Sequence, residues 1–198
     1  AKLYRSIIHF ASKDAMDIDG LGESIIAELI ERGLIHNIAD IYHLTFEDVA
    51  CLKKNGKKFA QNLIDAIEES KHRELYRLIN SLGIRHVGVK LAKTLTKYYR
   101  TMEQFMNSSY EELRLIDDIG EITAQTIYEF FRQEQTLDLI AKLKEAGLNM
   151  EVAEENLTDN RFEGKIFVLT GSLEHYSRDE ASEIIEKFGG KTSSSVSK

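Results

Sequence analysis

The chain of 198 residues contains no proline, no tryptophan and only one cysteine, Cys51. A single cysteine excludes a disulfide within the chain and fits a reducing compartment. Because proline is absent, glycine, asparagine and aspartate must form the turns. No apolar run reaches the roughly 18 residues that a membrane span needs, and no signal-peptide pattern opens the chain. We therefore expect a cytoplasmic protein with no membrane partner, and we expect Cys51 to lie in the core beside Leu52.

Charge is distributed unevenly along the chain. The formal net charge of −7 by itself argues against a nucleic-acid partner. The segment 53–100, however, holds 12 Lys and Arg against 4 Asp and Glu, a net charge of +8, so the rest of the chain carries −15. A solvated helical face would explain a short basic run, but segregation over this length favours an anionic partner.

Four glycines recur at near-equal intervals of 34, 32 and 32 residues: Gly22, Gly56, Gly88 and Gly120. Each ends a five-residue turn, and an apolar, helix-like run follows it. We call these segments turn 1 (18–22), turn 2 (52–56), turn 3 (84–88) and turn 4 (116–120). A glycine turn that opens a helix presents free backbone N–H groups, which can bind an anion. Four such turns at a regular pitch suggest a surface that binds a repeating polyanion.

The chain predicts two domains. A hydrophobic content of 42% is enough for a real core. Residues 1–150 predict a compact helical domain in which the repeated unit is a helix, a glycine turn and a second helix, near 18–30, 52–64, 84–96 and 116–128. The polar stretch 151–161 predicts a linker. The segment 162–198 predicts a β-α-β unit cut short by the end of the chain, with a strand at 165–171, a helix at 177–188 and a second strand at 191–198. Because the chain begins with Ala1 and not with methionine, we expect a part of a longer protein.

Local signals predict several helix ends. Thr45 with Asp48, and Ser109 with Glu112, form the pattern of a capping box and should open short helices just before turns 2 and 4. Gly33 and Gly147 are placed to end helices. The fold class is therefore mainly α, followed by a partial β-α-β segment.

The turns resemble the helix-hairpin-helix motif of DNA repair and replication proteins, with its pattern of an apolar residue, glycine and a later alanine. Segments 9–22, 60–63 and 82–88 are similar to the helix-hairpin-helix domain of bacterial NAD-dependent DNA ligases. Segments 162–171, 177–181 and 189–191 are similar to the start of the BRCT domain that follows it. The first motif glycine is present only as Gly20, because Lys54, His86 and Asp118 replace it in the other turns. Those three turns must bend without a positive φ there or strain a non-glycine residue.

The resemblance implies a part of a ligase that binds nicked double-stranded DNA without sequence preference. The family forms its adenylate on the lysine of a Lys-x-Asp-Gly motif, whereas residues 17–20 read Asp-Ile-Asp-Gly. The adenylation, OB-fold and zinc modules, with NAD, magnesium and a structural zinc, are therefore expected upstream. We expect no catalytic residue, metal or cofactor in this chain, which should be inactive alone, and a parent enzyme that acts at the bacterial nucleoid.

Charge separates the four turns. Basic side chains flank turns 2 and 3, and we expect these to contact DNA through Lys53, Lys54, Asn55, Gly56, Lys57, Lys58, Arg85, His86, Val87, Gly88, Lys90 and Lys93. Carboxylates surround turns 1 and 4, so Gly20, Gly22 and Gly120 are weaker candidates in hairpins that should mainly build the scaffold. In the BRCT-like segment, Thr170, Gly171 and Arg178 suggest a phosphate site, with a packing module that binds no phosphate as the alternative.

Two other functions remain open at the level of sequence. The same hairpins could form a non-enzymatic scaffold that binds DNA junctions or repair sites. A pure protein-interaction module would show no DNA binding at low salt. A calcium loop around Gly20 is excluded, because Ala15 and Ile26 would stand at its first and last ligand positions.

Overall fold

The computed structural model describes residues 1–153, 161–173 and 175–194. The chain divides into two compact units, Ala1–Glu151 and Val152–Lys198. The second strand predicted at 191–198 and the linker predicted at 151–161 fall partly outside the described residues. The functional domain limits drawn from the sequence stay a prediction, whereas the mainly helical fold class is confirmed.

The first unit contains the following elements: α1 (Lys2–Ala11), α2 (Glu23–Glu31), a 3₁₀-helix (Ile38–His43), α3 (Phe46–Ala50), α4 (Lys57–Ser70), α5 (Leu75–Ser81), α6 (Val89–Tyr98), α7 (Met102–Met106), α8 (Tyr110–Arg114), α9 (Glu121–Phe130) and α10 (Glu134–Glu145).

The four turns each join two helices that pack against one another. Turn 1 lies between α1 and α2, turn 2 between α3 and α4, turn 3 between α5 and α6, and turn 4 between α8 and α9. Both predicted capping boxes are present: Thr45 with Asp48 opens α3, and Ser109 with Glu112 opens α8. These reciprocal bonds satisfy two backbone N–H groups each, which lets helices of only five residues form before turns 2 and 4.

Gly33 and Gly147 end α2 and α10, as their positions predicted. Both are left-handed, with φ of 71° and 97°. The N–H of Leu34 then donates back to the carbonyl of Leu29 at 3.0 Å. This is the bond of a Schellman motif, which satisfies a carbonyl that the helix end would leave free.

The core of the first unit forms where α1, α4 and α10 pack against the 3₁₀-helix and α5 packs against α1. Ile7, Phe10, Ile41, Leu63 and Ile79 are at most 1% exposed. Burying an aliphatic or aromatic side chain of this size stabilises the fold by about 1.5–3 kcal/mol. The residues come from four different elements, three of which belong to the hairpins of turns 1, 2 and 3, so this core joins those three hairpins.

Aromatic packing connects the later hairpins to the end of the unit. The ring of Phe105 lies 5.6 Å from that of Tyr99 and 4.9 Å from that of Phe131. Beside this cluster, the N–H of Met102 donates to the carbonyl of Met150 at 2.8 Å. The last residues of the first unit therefore lie against the start of α7.

The second unit contains β1 (Ile166–Val168), α11 (Arg178–Lys187) and β2 (Lys191–Ser193) in its described residues. The strands are parallel, with Phe167 opposite Thr192. This is the β-α-β order that the sequence predicts, although β1 is shorter than 165–171. Gly190 is needed on steric grounds, because a Cβ there would lie 2.7 Å from Cγ2 of Ile185.

The expectation that Cys51 lies in the core is wrong. Its side chain is exposed, whereas that of Leu52 is 9% exposed. Cys51 is the C-cap residue of α3, and a helix of five residues turns only one narrow face inward. That face is filled by Val49, which is fully buried.

Candidate nucleic-acid interface

Turns 1, 3 and 4 share one conformation, and an aliphatic residue anchors each of them. Leu21, Val87 and Ile119 stand directly before the final glycine and are only 5–6% exposed. Each donates its backbone N–H to the carbonyl of the residue three places earlier, at 3.3, 3.0 and 3.2 Å. The side chain of Val87 is therefore buried and its N–H is used inside the turn, so a DNA contact by Val87 stays a prediction that neither group supports.

The same three turns place a left-handed residue two positions before the glycine. Gly20 has φ of 88°, His86 of 72° and Asp118 of 68°. A non-glycine residue in this region costs of order 1–3 kcal/mol. The sequence did not decide whether turns 3 and 4 would avoid a positive φ at this position. The structure shows that they do not, so His86 and Asp118 are strained.

Turn 2 has a different conformation. Its left-handed residue is Asn55, with φ of 62°, one position later than in the other turns, so Lys54 does not take the role of Gly20. Asparagine tolerates this conformation better than lysine. Asn55 is also exposed, so turn 2 lacks the buried aliphatic anchor.

The glycines that end turns 1, 3 and 4 are not required by the fold. Gly22, Gly88 and Gly120 are exposed helix N-caps with φ of −84°, −100° and −87° and an extended ψ. A Cβ at any of them would have no atom of another residue within 4 Å, outside the two chain neighbours. Ser, Asp or Asn would be at least as good an N-cap. An external group that must approach the backbone would explain why glycine stands there.

Gly56 is a glycine for another reason. It is buried, and a Cβ there would lie 2.6 Å from the carbonyl oxygen of Ala50 and 2.9 Å from that of Lys53. The backbone of turn 2 is therefore pressed against α3. Its glycine serves internal packing and does not leave an open surface.

The helices after all four turns begin with free N–H groups, and α4 after turn 2 has its first intrahelical bond from Ala60 to Gly56 at 2.8 Å with no N-cap side chain. At turns 1, 3 and 4 these groups follow an exposed glycine. The first intrahelical bonds run from Ile26, Ala92 and Ala124 to the carbonyls of the turn glycines, at 2.9, 2.9 and 3.0 Å. The three N–H groups before each of these bonds have no intrahelical acceptor, and no N-cap side chain accepts from them. Together with the helix dipole they favour an anion.

Of the four turns, turn 3 is the one that combines an exposed final glycine with surrounding positive charge. Arg85, His86, Lys90 and Lys93 are exposed around Gly88. At turn 4, an ion pair of 3.2 Å between Arg114 and Glu121 neutralises part of the negative charge. The carboxylates around turns 1 and 4 are Asp17, Asp19, Glu23, Asp117, Asp118 and Glu121, all exposed.

Turn 2 carries exposed lysines on its closed backbone: Lys53, Lys54, Lys57 and Lys58. The Nζ atom of Lys53 lies 4.1 Å from the centroid of the Phe59 ring. At turn 3, Nζ of Lys93 lies 5.2 Å from the ring centroid of Tyr76. The sequence did not single out either aromatic residue, because each reads as an ordinary apolar position of a helix.

Some basic residues of the segment 53–100 are used inside the fold. Arg73 donates to the carbonyls of Met16 and Asp17 at 2.9 and 3.0 Å. Arg77 donates to two further carbonyls of the same loop, at 3.0 and 3.1 Å. Lys71 pairs with Glu68 at 2.8 Å. The net charge of +8 counted over residues 53–100 is therefore larger than the positive charge that is available to a partner.

In the second unit, the three predicted phosphate-site residues are exposed near the end of β1 and the start of α11. Nη2 of Arg178 donates to the carbonyl oxygen of Gly171 at 3.3 Å, and Gly171 is left-handed with φ of 74°. Thr170 precedes it directly. The structure thus brings Arg178 to the strand end, and a phosphate site there stays a prediction.

Among the described residues, no group of three or more His, Cys, Asp or Glu side chains could hold a metal ion. In that same part of the chain, no helix is both long and apolar enough to cross a membrane.

Three family models match the chain. Residues 12–69 match a SAM-like helix-hairpin-helix tandem, residues 77–140 a helix-hairpin-helix motif, and residues 157–198 the BRCA1 C Terminus (BRCT) domain. The first match covers turns 1 and 2, and the second covers turns 3 and 4.

Curated proteins named DNA ligase are similar to the whole chain. Those of Thermoanaerobacter sp. (strain X514) and Thermoanaerobacter pseudethanolicus are each 50% identical over 198 residues, and that of Acetivibrio thermocellus is 48% identical over 201 residues. All of this chain is covered in each case, and the chain spans about 30% of the length of these relatives. The resemblance found in the sequence is therefore confirmed: along its whole length, this chain matches the part of DNA ligases that consists of helix-hairpin-helix segments followed by a BRCT segment.

Proposed function

We propose that this chain binds duplex DNA without sequence preference and clamps nicked DNA as part of an NAD-dependent DNA ligase. The observation that carries the proposal is the glycine at the end of turns 1, 3 and 4. Each has an ordinary backbone conformation and open space around it. Glycine in such a place fits a requirement from outside the fold, namely a phosphate that approaches the backbone.

Phosphate is the fitting ligand because the site offers backbone donors and a helix dipole. Backbone N–H groups donate hydrogen bonds and accept none, so they fit the acceptor oxygens of a phosphate. Contacts of this kind position a protein on the duplex but carry no sequence information. Such a surface suits an enzyme that must seal a nick in any sequence.

The four turns would contribute unequally. We infer that turn 3 makes the main backbone contact, since Gly88 is open and Arg85, Lys90 and Lys93 surround it. Turns 1 and 4 offer an open backbone in acidic surroundings. Turn 2 would act through its exposed lysine side chains and not through Gly56, which is buried. This differs from the sequence-based expectation that both Gly56 and Gly88 contact DNA.

Adenylyl transfer would take place in other modules of the parent ligase, with NAD and magnesium bound there. The residues of this chain would hold the duplex while that chemistry proceeds. The DNA ligase relatives favour this role over a non-enzymatic scaffold. Removing residues 1–151 from the full-length protein should abolish nick sealing, whereas a scaffold would have no sealing activity to lose.

The salt dependence of DNA binding tests the proposal. With about four to six phosphates neutralised, log K should fall with log salt concentration at a slope of roughly −4 to −5. Fluorescence anisotropy with a labelled nicked duplex gives this slope, and intact duplexes of two unrelated sequences serve as controls. Similar affinity for all sequences is expected. A slope near zero, or no binding at low salt, would overturn the proposal and favour a protein-interaction module.

A further inference from the structure

Turns 1 and 2 meet at one aromatic side chain. Phe59 lies in the first turn of α4, three residues after Gly56. Its Cε2 atom is 3.7 Å from the position that a Cβ of Gly20 would occupy, and Cδ1 of Leu63 is 3.6 Å from the same position. The tip of turn 1 therefore rests on the α4 side chains that follow turn 2.

The same ring also holds a charge. Nζ of Lys53 lies 4.1 Å from the centroid of Phe59, well within the distance of about 6 Å at which a cation over an aromatic face is attracted to it. Among the described residues, no carboxylate forms a salt bridge with Lys53. The ring is thus the contact that fixes this ammonium group.

Each of these two turns has a property that the other lacks. Turn 1 has an open glycine and acidic side chains, whereas turn 2 has a closed glycine and exposed lysines. Phe59 touches the tip of the first and the lysine of the second. The Lys53 ammonium group and the tip of turn 1 at Gly20 therefore contact the same ring.

We propose that Phe59 is a positioning residue, which holds the Lys53 ammonium group over its face so that Lys53 neutralises a DNA phosphate beside turn 1. A free lysine side chain loses rotamer freedom when it binds a phosphate. Because the Phe59 ring already restricts the Lys53 side chain in the free protein, less rotamer freedom is lost when Lys53 binds a phosphate. The inference rests on the proposed DNA binding and adds a residue to it that makes no contact with DNA itself.

A double-mutant cycle tests this role on the whole chain with labelled nicked duplex. Phe59→Leu keeps an apolar group against Gly20 but removes the aromatic face, and Phe59→Tyr keeps the face. Lys53→Ala should reduce the steepness of the salt slope by about 0.9, the value for one phosphate contact. Phe59→Leu should weaken binding by about two- to five-fold, the range of an exposed cation–π contact, and Phe59→Tyr should bind as the parent chain does.

The test depends on whether the effects of the Phe59 and Lys53 substitutions on DNA affinity are coupled. In the Lys53→Ala background, Phe59→Leu should cause no further loss, whereas in the background of the matched control Lys54→Ala it should cause its full loss. An equal loss in both backgrounds would overturn the proposal, because the ring would then serve packing only. Unchanged binding of Lys53→Ala, in a chain that still binds DNA, would also overturn it. Absence of binding by the parent chain would instead overturn the proposed function.

Discussion

Glycine stands at the end of all four turns for two physical reasons. At Gly56 the reason is internal, since a Cβ would press on the carbonyl oxygens of Ala50 and Lys53. At Gly22, Gly88 and Gly120, no atom of the described fold beyond the chain neighbours lies close enough to exclude a side chain. The sequence pattern is the same in both cases, and only the surroundings separate a packing glycine from one that leaves room for a ligand.

Alanine at these positions should separate the two kinds of glycine. Gly56→Ala should lower the free energy of unfolding by about 1–3 kcal/mol, the usual cost of overpacking. Gly22→Ala should cost less than about 1 kcal/mol, because only a small N-cap preference is lost. Chemical denaturation of the two variants and the parent chain measures the difference. Equal losses would show that both glycines have the same role.

Among the residues that the structure describes, Tyr42 is the one whose pKa departs most from its ordinary value. Burial raises the pKa of Tyr42 to about 12, against smaller opposing effects of the Ser70 hydrogen bond and the Arg73 charge. The hydroxyl lies 2.9 Å from Oγ of Ser70. The folded state therefore keeps the proton that the unfolded chain releases near pH 10.

This shift predicts a loss of stability at high pH. The stabilisation is complete below pH 10 and is lost as the pH rises from 10 to about 12, because the unfolded state then binds fewer protons. The difference in unfolding free energy between the parent chain and Tyr42→Phe should therefore change by roughly 2 kcal/mol across that window. Denaturation at pH 9 and at pH 11.5 measures it. A difference that is the same at both pH values would contradict the assignment.

At the scale of elements, side chains of α5 and of Arg73, two residues before it, hold the loop that leads into turn 1. Arg73, Arg77 and Asn80 donate to carbonyls of residues 13–17 at 2.9–3.1 Å. Charged donors make such bonds roughly twice as strong as neutral ones. The helix before turn 3 therefore positions the loop before turn 1, more than fifty residues away along the chain.

Two arginines only eight residues apart should thus respond differently to the same change. Arg77→Met should lower the free energy of unfolding by about 1.5–3 kcal/mol, since it removes charged hydrogen bonds to two carbonyls. Arg85→Met should change stability by less than about 0.5 kcal/mol, as expected for an exposed site, and should weaken DNA binding. Denaturation and DNA titration of both variants give the comparison. A stability loss in Arg85→Met, or none in Arg77→Met, would contradict it.

The elements that the sequence predicted correctly depend on local signals. Capping boxes at Thr45 and Ser109 and the helix-ending Gly33 act within a few residues of themselves, so their pattern is enough. The exposure of Cys51 and the shift of the left-handed residue to Asn55 depend on how α3 meets turn 2. The internal use of Arg73 depends on a loop far away in sequence. The spacing of residues 73, 77 and 80 was the available signal, although residue 73 lies before α5, and nothing local shows what these side chains meet.

At the scale of the whole molecule, charge and backbone geometry divide the four turns differently. Positive charge lies on turns 2 and 3, whereas the open glycine backbone is found at turns 1, 3 and 4. Each of the two matched helix-hairpin-helix segments, 12–69 and 77–140, contains one turn of the basic pair. Sequence alone gave the charge pattern, and only the structure added the second pattern. Turn 3 is where the two coincide.

Serine at Gly88 tests the central claim most directly. A serine N-cap would accept a hydrogen bond from an N–H at the start of α6 and place its side chain where a phosphate would lie. We expect Gly88→Ser to keep or raise the melting temperature of the chain and to weaken binding to nicked duplex by roughly tenfold, the loss of a hydrogen bond to a charged group. Unchanged affinity together with an unchanged melting temperature would contradict the assignment of turn 3 as a phosphate site.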